Sequence, residues 1–322
     1  MATRSTPKPP APRFSIAEWH GIPITSLTVE QRRELAARQF TAPGERNPLP
    51  CPFKPGTDCW KESGVCTVRL YGRDETTLDA VISDPVLRTM CPTRFEEDNV
   101  IIRWVGETIL GCSEPQIIPQ VPFLNPPLLE DGSAISDREV GKIDNILLVP
   151  HVEPLQWCAL EIQSVYFSGE AMENEWALLR DYIGEGLPFP ATSHRPDTRS
   201  SGPKRLMPQL QTKVPSLRRW GKKMAVVVDL GFFRALGMTT MRTVSDISNS
   251  DVVWFVLDFQ ESDEGHFKLI PYKPYPTTLE TTIEGLTAGI PTSLRTFESR
   301  ILYKRDRLTR EGKIATNQQL TF

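Results

Sequence analysis

Acidic and amide side chains occur in two apolar, β-prone segments near the middle of the chain. Asp144 lies in residues 142–149 (KIDNILLV), and Glu161 and Gln163 lie in residues 157–167 (WCALEIQSVYF). Both segments are bounded by turn residues, which is typical of buried strands. Residues i and i+2 of a strand point to the same face, so Glu161 and Gln163 project together. An acid on a neighbouring strand, Asp144, can then meet Glu161 at a sheet edge.

Two carboxylates a few ångströms apart form a hard oxygen site that suits Mg²⁺, which keeps waters and also accepts a phosphate oxygen. Such a metal lowers the pKa of a bound water and neutralises charge during attack on phosphorus. A third polar group, usually Lys, orients the attacking water, and Gln163 occupies that place here. The pattern predicts metal-dependent phosphodiester chemistry; the alternative is that both acids lie at strand ends in water.

The Glu-x-Gln triplet is not specific by itself. A second copy occurs at residues 114–116, and a Glu-x-Lys occurs at residues 311–313 in a polar tail. Only Glu161 and Gln163 lie in an apolar strand that follows another acid-bearing strand. A carboxylate buried in such a segment costs several kcal/mol unless it is paired or bound to a metal.

Four of the six cysteines lie within 41 residues near the N-terminus: Cys51, Cys59, Cys66 and Cys91. Their spacing is looser than the paired C-x-x-C of zinc ribbons, and four ordinary buried cysteines would give the same pattern. However, the segment is rich in proline and loops, and a tetrahedral Cys₄ metal site would order it. Familiar NTPase, dinucleotide-binding, serine hydrolase and zincin signatures are missing. The four histidines are far apart and lack metal-ligand spacing.

Composition excludes several classes of protein. The 322 residues are 39% hydrophobic, which is enough for a core and excludes wholesale disorder. No apolar run is long enough to span a membrane, and residues 1–12 lack the apolar region of a secretory signal. Six cysteines without an export signal indicate reduced thiols or metal ligands. The expected location is therefore the cytoplasm.

Positive charge is concentrated in one segment, although the chain carries 37 Lys and Arg against 40 Asp and Glu, for a net charge of −3. Residues 195–223 contain nine Lys or Arg and one acid, a net charge of +8. Most charged runs are merely solvated faces. In an acidic protein, such a segment also suits the phosphate backbone of a nucleic acid.

The remaining patterns predict the elements and their order. Thr28 and Gln31 form a capping box for a helix that ends near Phe40. We expect further helices at residues 170–183 and 230–236, and buried strands at 224–228 and 252–259. We expect residues 41–94 to be rich in loops and residues 101–129 to be extended. Residues 184–217 show no clear hydrophobic period. This order predicts an α/β fold with a mixed central sheet covered by helices.

The combined motifs resemble the NotI-type restriction endonucleases of the PD-(D/E)xK superfamily. The resemblance runs from about residue 14 to residue 260. Its matching pieces are residues 14–21 (FSIAEWHG), the ordered cysteines with Pro52-Phe53 and Gly64-Val65, the KID of Asp144, Leu160-Glu-Ile-Gln163 with Phe167 and Gly169, and the strand at 252–258. A Cys₄ pattern combined with a Gln-ended catalytic motif is more specific than either part alone.

The resemblance implies a homodimeric type II endonuclease that cuts both strands of a long GC-rich palindrome with Mg²⁺. Asp144 and Glu161 would hold this metal, and Gln163 would replace the usual Lys of the superfamily. The four cysteines would hold a structural iron ion, although zinc suits tetrahedral thiolates as well. The implied domains are a disordered basic tail (1–13), a region with the Cys₄ module (14–100), and a PD-(D/E)xK nuclease domain with DNA-binding elements (101–322).

Several assignments stay open at this point. The family expects a further acid before Asp144, for which Glu130, Asp131 and Glu139 compete. Guanine readout needs Arg or Lys in the major groove, and the unranked candidates are Arg195, Arg199, Arg205, Arg218 and Arg219. Expected partners are double-stranded DNA and a second copy of the chain, with a cognate DNA methyltransferase as a further candidate. The alternatives are a non-catalytic, metal-stabilised DNA-binding protein and a nuclease for modified or branched DNA.

Overall fold

The structure of the protein is a computed structural model. It describes residues 10–41, 45, 47–61, 63–124, 140–165, 167–168, 172–192, 195–262, 265–287 and 292–313. The chain divides into two units, residues 1–287 and residues 288–322. Among the described residues, no helix is both long and apolar enough to cross a membrane.

The first unit contains twelve described strands. Their bounds are β1 (Arg13–Trp19), β2 (Ile22–Pro23), β3 (Val65–Arg73), β4 (Ala80–Thr89), β5 (Gln116–Leu124), β6 (Val140–Leu148), β7 (Trp157–Ile162), β8 (Phe167–Ser168), β9 (Arg195–Pro196), β10 (Met224–Asp229), β11 (Val252–Glu261) and β12 (Phe267–Thr277).

The α-helices of the first unit, in the part of the chain described, are α1 (Val29–Arg38), α2 (Val100–Val105), α3 (Glu173–Asp181), α4 (Thr198–Ser201), α5 (Met207–Arg219), α6 (Leu230–Ala235) and α7 (Leu279–Leu286). Single π-helical turns, residues 106–110 and 202–206, follow α2 and precede α5. The predicted capping box at α1 is confirmed, because the Thr28 side chain accepts from Gln31 N while the Gln31 side chain accepts from Thr28 N.

A four-stranded antiparallel sheet, in the order β2-β1-β3-β4, forms the N-terminal part of the first unit. Its core contains Ile16, Trp19, Val65 and Val68. The expectation that residues 41–94 are loop-rich was wrong for β3 and β4. Val65, Val68 and Tyr71 are residue types typical of a strand, and all three are buried here.

A six-stranded mixed sheet, in the order β12-β11-β10-β7-β6-β5, forms the centre of the first unit. Strands β7, β10 and β11 run parallel to one another, and the outer pairs are antiparallel. One face packs against the apolar side of α5, and the opposite face packs against α2. The predicted α/β class with a mixed, helix-covered sheet is confirmed.

Three other element predictions need correction. The strand predicted over 157–167 ends at Ile162, and residues 167–168 form the separate short strand β8. Within residues 101–129, predicted as extended, 101–110 are helical, whereas 116–124 are a strand as expected. Residues 184–217 contain most of α5, because Leu206, Leu210, Val214 and Leu217 have helical spacing and are all fully buried.

The second unit contains helix α8 (Leu294–Arg310) in its described part. The Ser293 side chain caps the helix by accepting from Thr296 N. None of the residues of α8 is buried, and Leu294, Phe297 and Ile301 are exposed.

Candidate active site

Strands β6 and β7 place the two predicted acids opposite each other. These strands are antiparallel with Asn145 paired to Leu160, so the next position along the register brings Asp144 opposite Glu161. Alternate residues of β7 face opposite sides, and Ala159 packs in the core on the α5 side. Glu161 therefore faces α5, and Asp144 lies beside it on the same face.

The two carboxylates have different surroundings. The side chain of Glu161 is 3% exposed, whereas that of Asp144 is 42% exposed. The pKa of Glu161 is raised to about 7, chiefly by burial; Lys213 opposes this shift, and Asp144 adds to it through a hydrogen bond and its charge. The site thus has one buried, positioned acid and one acid open to solvent and ligands.

Helix α5 contributes a basic residue to this pair. The ammonium nitrogen of Lys213 lies 2.7 Å from Glu161 Oε2 and 3.8 Å from Asp144 Oδ1. It also donates to Gln209 Oε1 at 3.2 Å. In the sequence, Lys213 is one of the nine basic residues of the segment 195–223. Its signal was its position between Leu210 and Val214, on the apolar side of the helix.

Gln163 lies just beyond the end of β7. Its backbone N–H donates to Val227 O, and its side-chain Nε2 donates to Ser164 O at 2.6 Å. The structure therefore brings together Asp144, Glu161 and Lys213, while the amide of Gln163 contacts the backbone. The competing candidates for a further acid, Glu130, Asp131 and Glu139, lie outside the described residues.

The oxygen atoms of Asp144 and Glu161 suit a divalent cation. Mg²⁺ is usually held by one or two carboxylates, with waters and substrate phosphate completing its shell. Within the described residues, no group of three or more Asp, Glu, His or Cys side chains could hold a metal. Two carboxylates, one of them open to solvent, fit the sparse protein shell of Mg²⁺.

The four N-terminal cysteines come from different segments of one region. Cys66 lies on β3, Cys91 follows β4 closely, and Cys51 and Cys59 lie on the preceding loop. The thiol of Cys59 interacts electrostatically with those of Cys51 and Cys91, and Cys66 interacts with Cys91. Burial raises the pKa of both Cys59 and Cys66. All four cysteines are free.

A lysine lies among these thiols. The Lys61 ammonium donates to Met90 O at 2.6 Å and interacts electrostatically with Cys59, Cys66 and Cys91. Burial lowers the pKa of Lys61, and the thiols oppose this shift. The cysteines converge on one region, but in the described chain they are not arranged closely enough to form a metal-binding group.

The basic segment is only partly open to a ligand. Arg218 makes a bidentate ion pair with Asp251 and also contacts Glu280. Arg195, Arg205 and Arg219 are exposed, and Arg219 also donates to Ser216 Oγ. The side chain of Arg199 lies outside what the structure describes. Arg218 thus connects α5 with Asp251, which precedes β11, and with α7, and exposed positive charge lies at both ends of the segment.

Comparison with known families gives one match. A model of the restriction endonuclease NotI family matches residues 34–269, which is most of the chain. The matched range contains Asp144, Glu161, Lys213 and all four N-terminal cysteines. A search of curated individual proteins finds no match. The chain therefore belongs to the NotI restriction endonuclease family and is a type II site-specific deoxyribonuclease.

Proposed function

We propose that the enzyme hydrolyses DNA with Mg²⁺ at a PD-(D/E)xK-type site formed by Asp144 and Glu161. The observation that carries the proposal is the pairing of a buried and an exposed carboxylate across β6 and β7. Restriction endonucleases typically use Mg²⁺. A cation held there would neutralise charge on the phosphate and activate a water.

The roles of the two acids follow from their exposure. Glu161 is fixed by its strand and by Lys213, so its carboxylate presents oxygen atoms in one orientation. Asp144 is open to solvent, so a phosphate and its cation can approach from its side. In this proposal Gln163 orients the attacking water, for which its side-chain amide must leave Ser164 O.

The proposed substrate is a GC-rich palindrome in double-stranded DNA. Residues 195–223 provide a positive surface for the phosphate backbone. Arginines also match the O6 and N7 acceptors of guanine, and Arg195 and Arg219 are exposed candidates for which no ion pair is described. Cutting both strands of a palindrome calls for two sites related by a two-fold axis, which a homodimer supplies.

A test of the catalytic pair replaces Glu161 by Gln, which keeps the shape of the side chain and removes its charge. We expect cleavage of GC-rich plasmid DNA with Mg²⁺ to fall by at least about 100-fold, since the metal loses a ligand. DNA binding measured in Ca²⁺ should be retained. The matched control is Glu284→Gln, an acid of α7 outside the site. Cleavage at the wild-type rate by Glu161→Gln protein would refute the proposal.

Substrate methylation separates a restriction role from a role on modified DNA. We propose that a cognate methyltransferase acts on the same target site. DNA methylated at that site should then resist cleavage, and unmethylated DNA should give discrete bands that EDTA abolishes. Cleavage confined to methylated substrates would identify a nuclease for modified DNA instead.

We also propose that Cys51, Cys59, Cys66 and Cys91 bind structural iron or zinc. The support is the convergence of the four thiols on one region of the N-terminal sheet. Metal binding must displace the protons that burial favours on Cys59 and Cys66, so the site should fill more readily as pH rises. We expect one metal ion per chain by elemental analysis and loss of it in Cys59→Ser protein. Cys112→Ser is the control, and unchanged metal content in Cys59→Ser protein would contradict the assignment.

A further inference from the structure

The lysine on the buried side of α5 is the least expected residue near the two carboxylates. Lys213 is only 5% exposed and lies in a stripe with Leu210, Val214 and Leu217, which are fully buried. An ammonium in such a position is costly unless charge and hydrogen bonds compensate for its lost water. The compensation here comes from Glu161 and Gln209.

The hydrogen bonds of Lys213 leave one donor without an acceptor in the described part of the chain. An ammonium has three N–H donors. One points to Glu161 Oε2 at 2.7 Å and one to Gln209 Oε1 at 3.2 Å. Asp144 Oδ1, at 3.8 Å, is beyond hydrogen-bond distance from Nζ. A third donor is therefore available beside the open carboxylate of Asp144.

We propose that Lys213 is a further catalytic residue, which donates a hydrogen bond to a non-bridging oxygen of the scissile phosphate. This inference rests on the proposed function of Asp144 and Glu161. As the oxygen of water bonds to phosphorus, the ester P–O bond breaks and negative charge grows on the phosphoryl oxygens. The attacking water loses its proton to solvent, and the leaving alkoxide takes one up. Lys213 keeps its proton throughout and stabilises the developing charge.

Lys213 reaches the catalytic acid from a helix and not from the strand that carries the acid. The superfamily's usual lysine is on the same strand as the catalytic acid, and Gln163 stands in that place here. Lys213 brings a positive charge to the same carboxylate from a helix 52 residues further along. In this proposal the catalytic lysine is therefore on α5. Gln209, one turn earlier in the helix, orients its ammonium group by accepting a hydrogen bond.

The test measures single-turnover cleavage by Lys213→Met protein, with DNA binding in Ca²⁺ and the melting temperature measured alongside. Met keeps the length of the apolar stem and removes the donors. We expect the cleavage rate to fall by about 100-fold with DNA affinity within about threefold of wild type, because removing one transition-state donor costs that order. Lys273→Met, an exposed lysine of β12, is the matched control and should cleave normally.

Two further variants separate catalysis from a structural role. Lys213→Arg keeps a cation beside Glu161, so it should fold even if the Met variant does not; it should still cleave slowly because its donors are placed differently. Adding Gln163→Lys to Lys213→Met returns an amine to the strand and should recover cleavage by about tenfold.

The outcomes distinguish this inference from the proposed function. Wild-type cleavage by Lys213→Met, or by Lys213→Arg when the Met variant does not fold, would overturn the role of Lys213. The catalytic pair would still stand in that case, provided that Glu161→Gln protein is inactive. An active Glu161→Gln protein would overturn both.

Discussion

A buried carboxylate and a buried lysine that neutralise each other are the central pair of the candidate site. Removal of either residue would strongly destabilise the fold, because it would leave the other charge buried without a partner. The pair therefore allows Glu161 to be almost fully buried while Asp144 remains open. Site chemistry and fold stability depend here on the same two side chains.

At the scale of single residues, His20 gives the first prediction. Among the described residues, neither of its buried ring nitrogens has a hydrogen-bond partner. Burial lowers the pKa of His20 to about 4, and the charge of Arg38 adds to the shift. The unfolded chain takes up a proton near pH 6.5, whereas the folded protein does not until about pH 4. Stability is therefore lost as pH falls through this window.

The corresponding experiment compares wild-type protein with His20→Asn, because Asn tolerates the positive φ of 47° at this position. Between pH 7 and pH 5, we expect wild type to lose about 1–2 kcal/mol of unfolding free energy relative to the variant. Urea unfolding at each pH measures this difference. His151→Asn is the control, since His151 is exposed with a similar φ of 60°. Parallel pH dependence in wild type and His20→Asn would contradict the prediction.

At the scale of elements, the turn before β3 depends on a glycine. Gly64 has a φ of +66°, and a Cβ there would lie 2.0 Å from His20 Nε2. Gly56 has a similar φ of +75°, but a Cβ there would have no neighbour within 4 Å. A residue with a Cβ would therefore meet the same backbone strain at both positions, which differ only in the space around them.

We expect Gly64→Ala to destabilise the protein by about 2–4 kcal/mol and Gly56→Ala by about 1 kcal/mol. Urea unfolding of both variants measures the difference. Because the clash at Gly64 is with a ring, His20→Asn should recover part of the loss in a double variant. Equal costs at the two glycines would show that the His20 ring moves away freely.

Elements with a local sequence signal could be predicted, whereas elements whose period is interrupted could not. β7 and β10 are short, apolar and bounded by turns, so their signal is local. β3 and α5 were missed because local composition hid their period. Cysteine and arginine interrupt the apolar pattern of β3, and α5 contains Pro208 and Pro215. Packing against the large sheet overrides the helix-breaking tendency of Pro215.

The two acids of the candidate site could be predicted from the sequence, but the lysine beside them could not. Asp144 and Glu161 lie on strands adjacent in sequence and in space, so strand periodicity was enough to place them together. Lys213 approaches from a distant helix, and no local pattern encodes that contact. The sequence indicates a special role for Lys213 only through its position as a charged residue within an apolar helical stripe.

At the scale of the whole molecule, Arg94 connects the two sheets. Its side chain is fully buried and donates to Glu18 on β1, to Glu97, and to the carbonyl of Phe267 on β12. Its guanidinium also lies 4.1 Å from the ring centroid of Phe53, near the cysteines. One residue thus couples the N-terminal sheet, the cysteine region and the central sheet.

We expect Arg94→Met to cost about 3–5 kcal/mol, because Glu18 would be left buried without its cation. Burial raises the pKa of Glu18, and Arg94 opposes that shift, so the loss should be larger at pH 8 than at pH 5. Denaturant unfolding at both pH values tests this. Arg103→Met, on the exposed side of α2, should cost under about 0.5 kcal/mol. A similar small effect for Arg94→Met would show that the sheets are held together by their apolar contacts alone.

The order of strands in the central sheet has a consequence for the cell that makes this enzyme. β7, which carries Glu161, lies between β6 and β10, yet β10 is synthesised only after α3, α4 and α5. A nascent chain on the ribosome therefore holds both acids well before it can form the sheet that positions them. We therefore expect the cleavage activity of the proposed site to appear only after β10 has been synthesised, so chains truncated before Met224 should lack it.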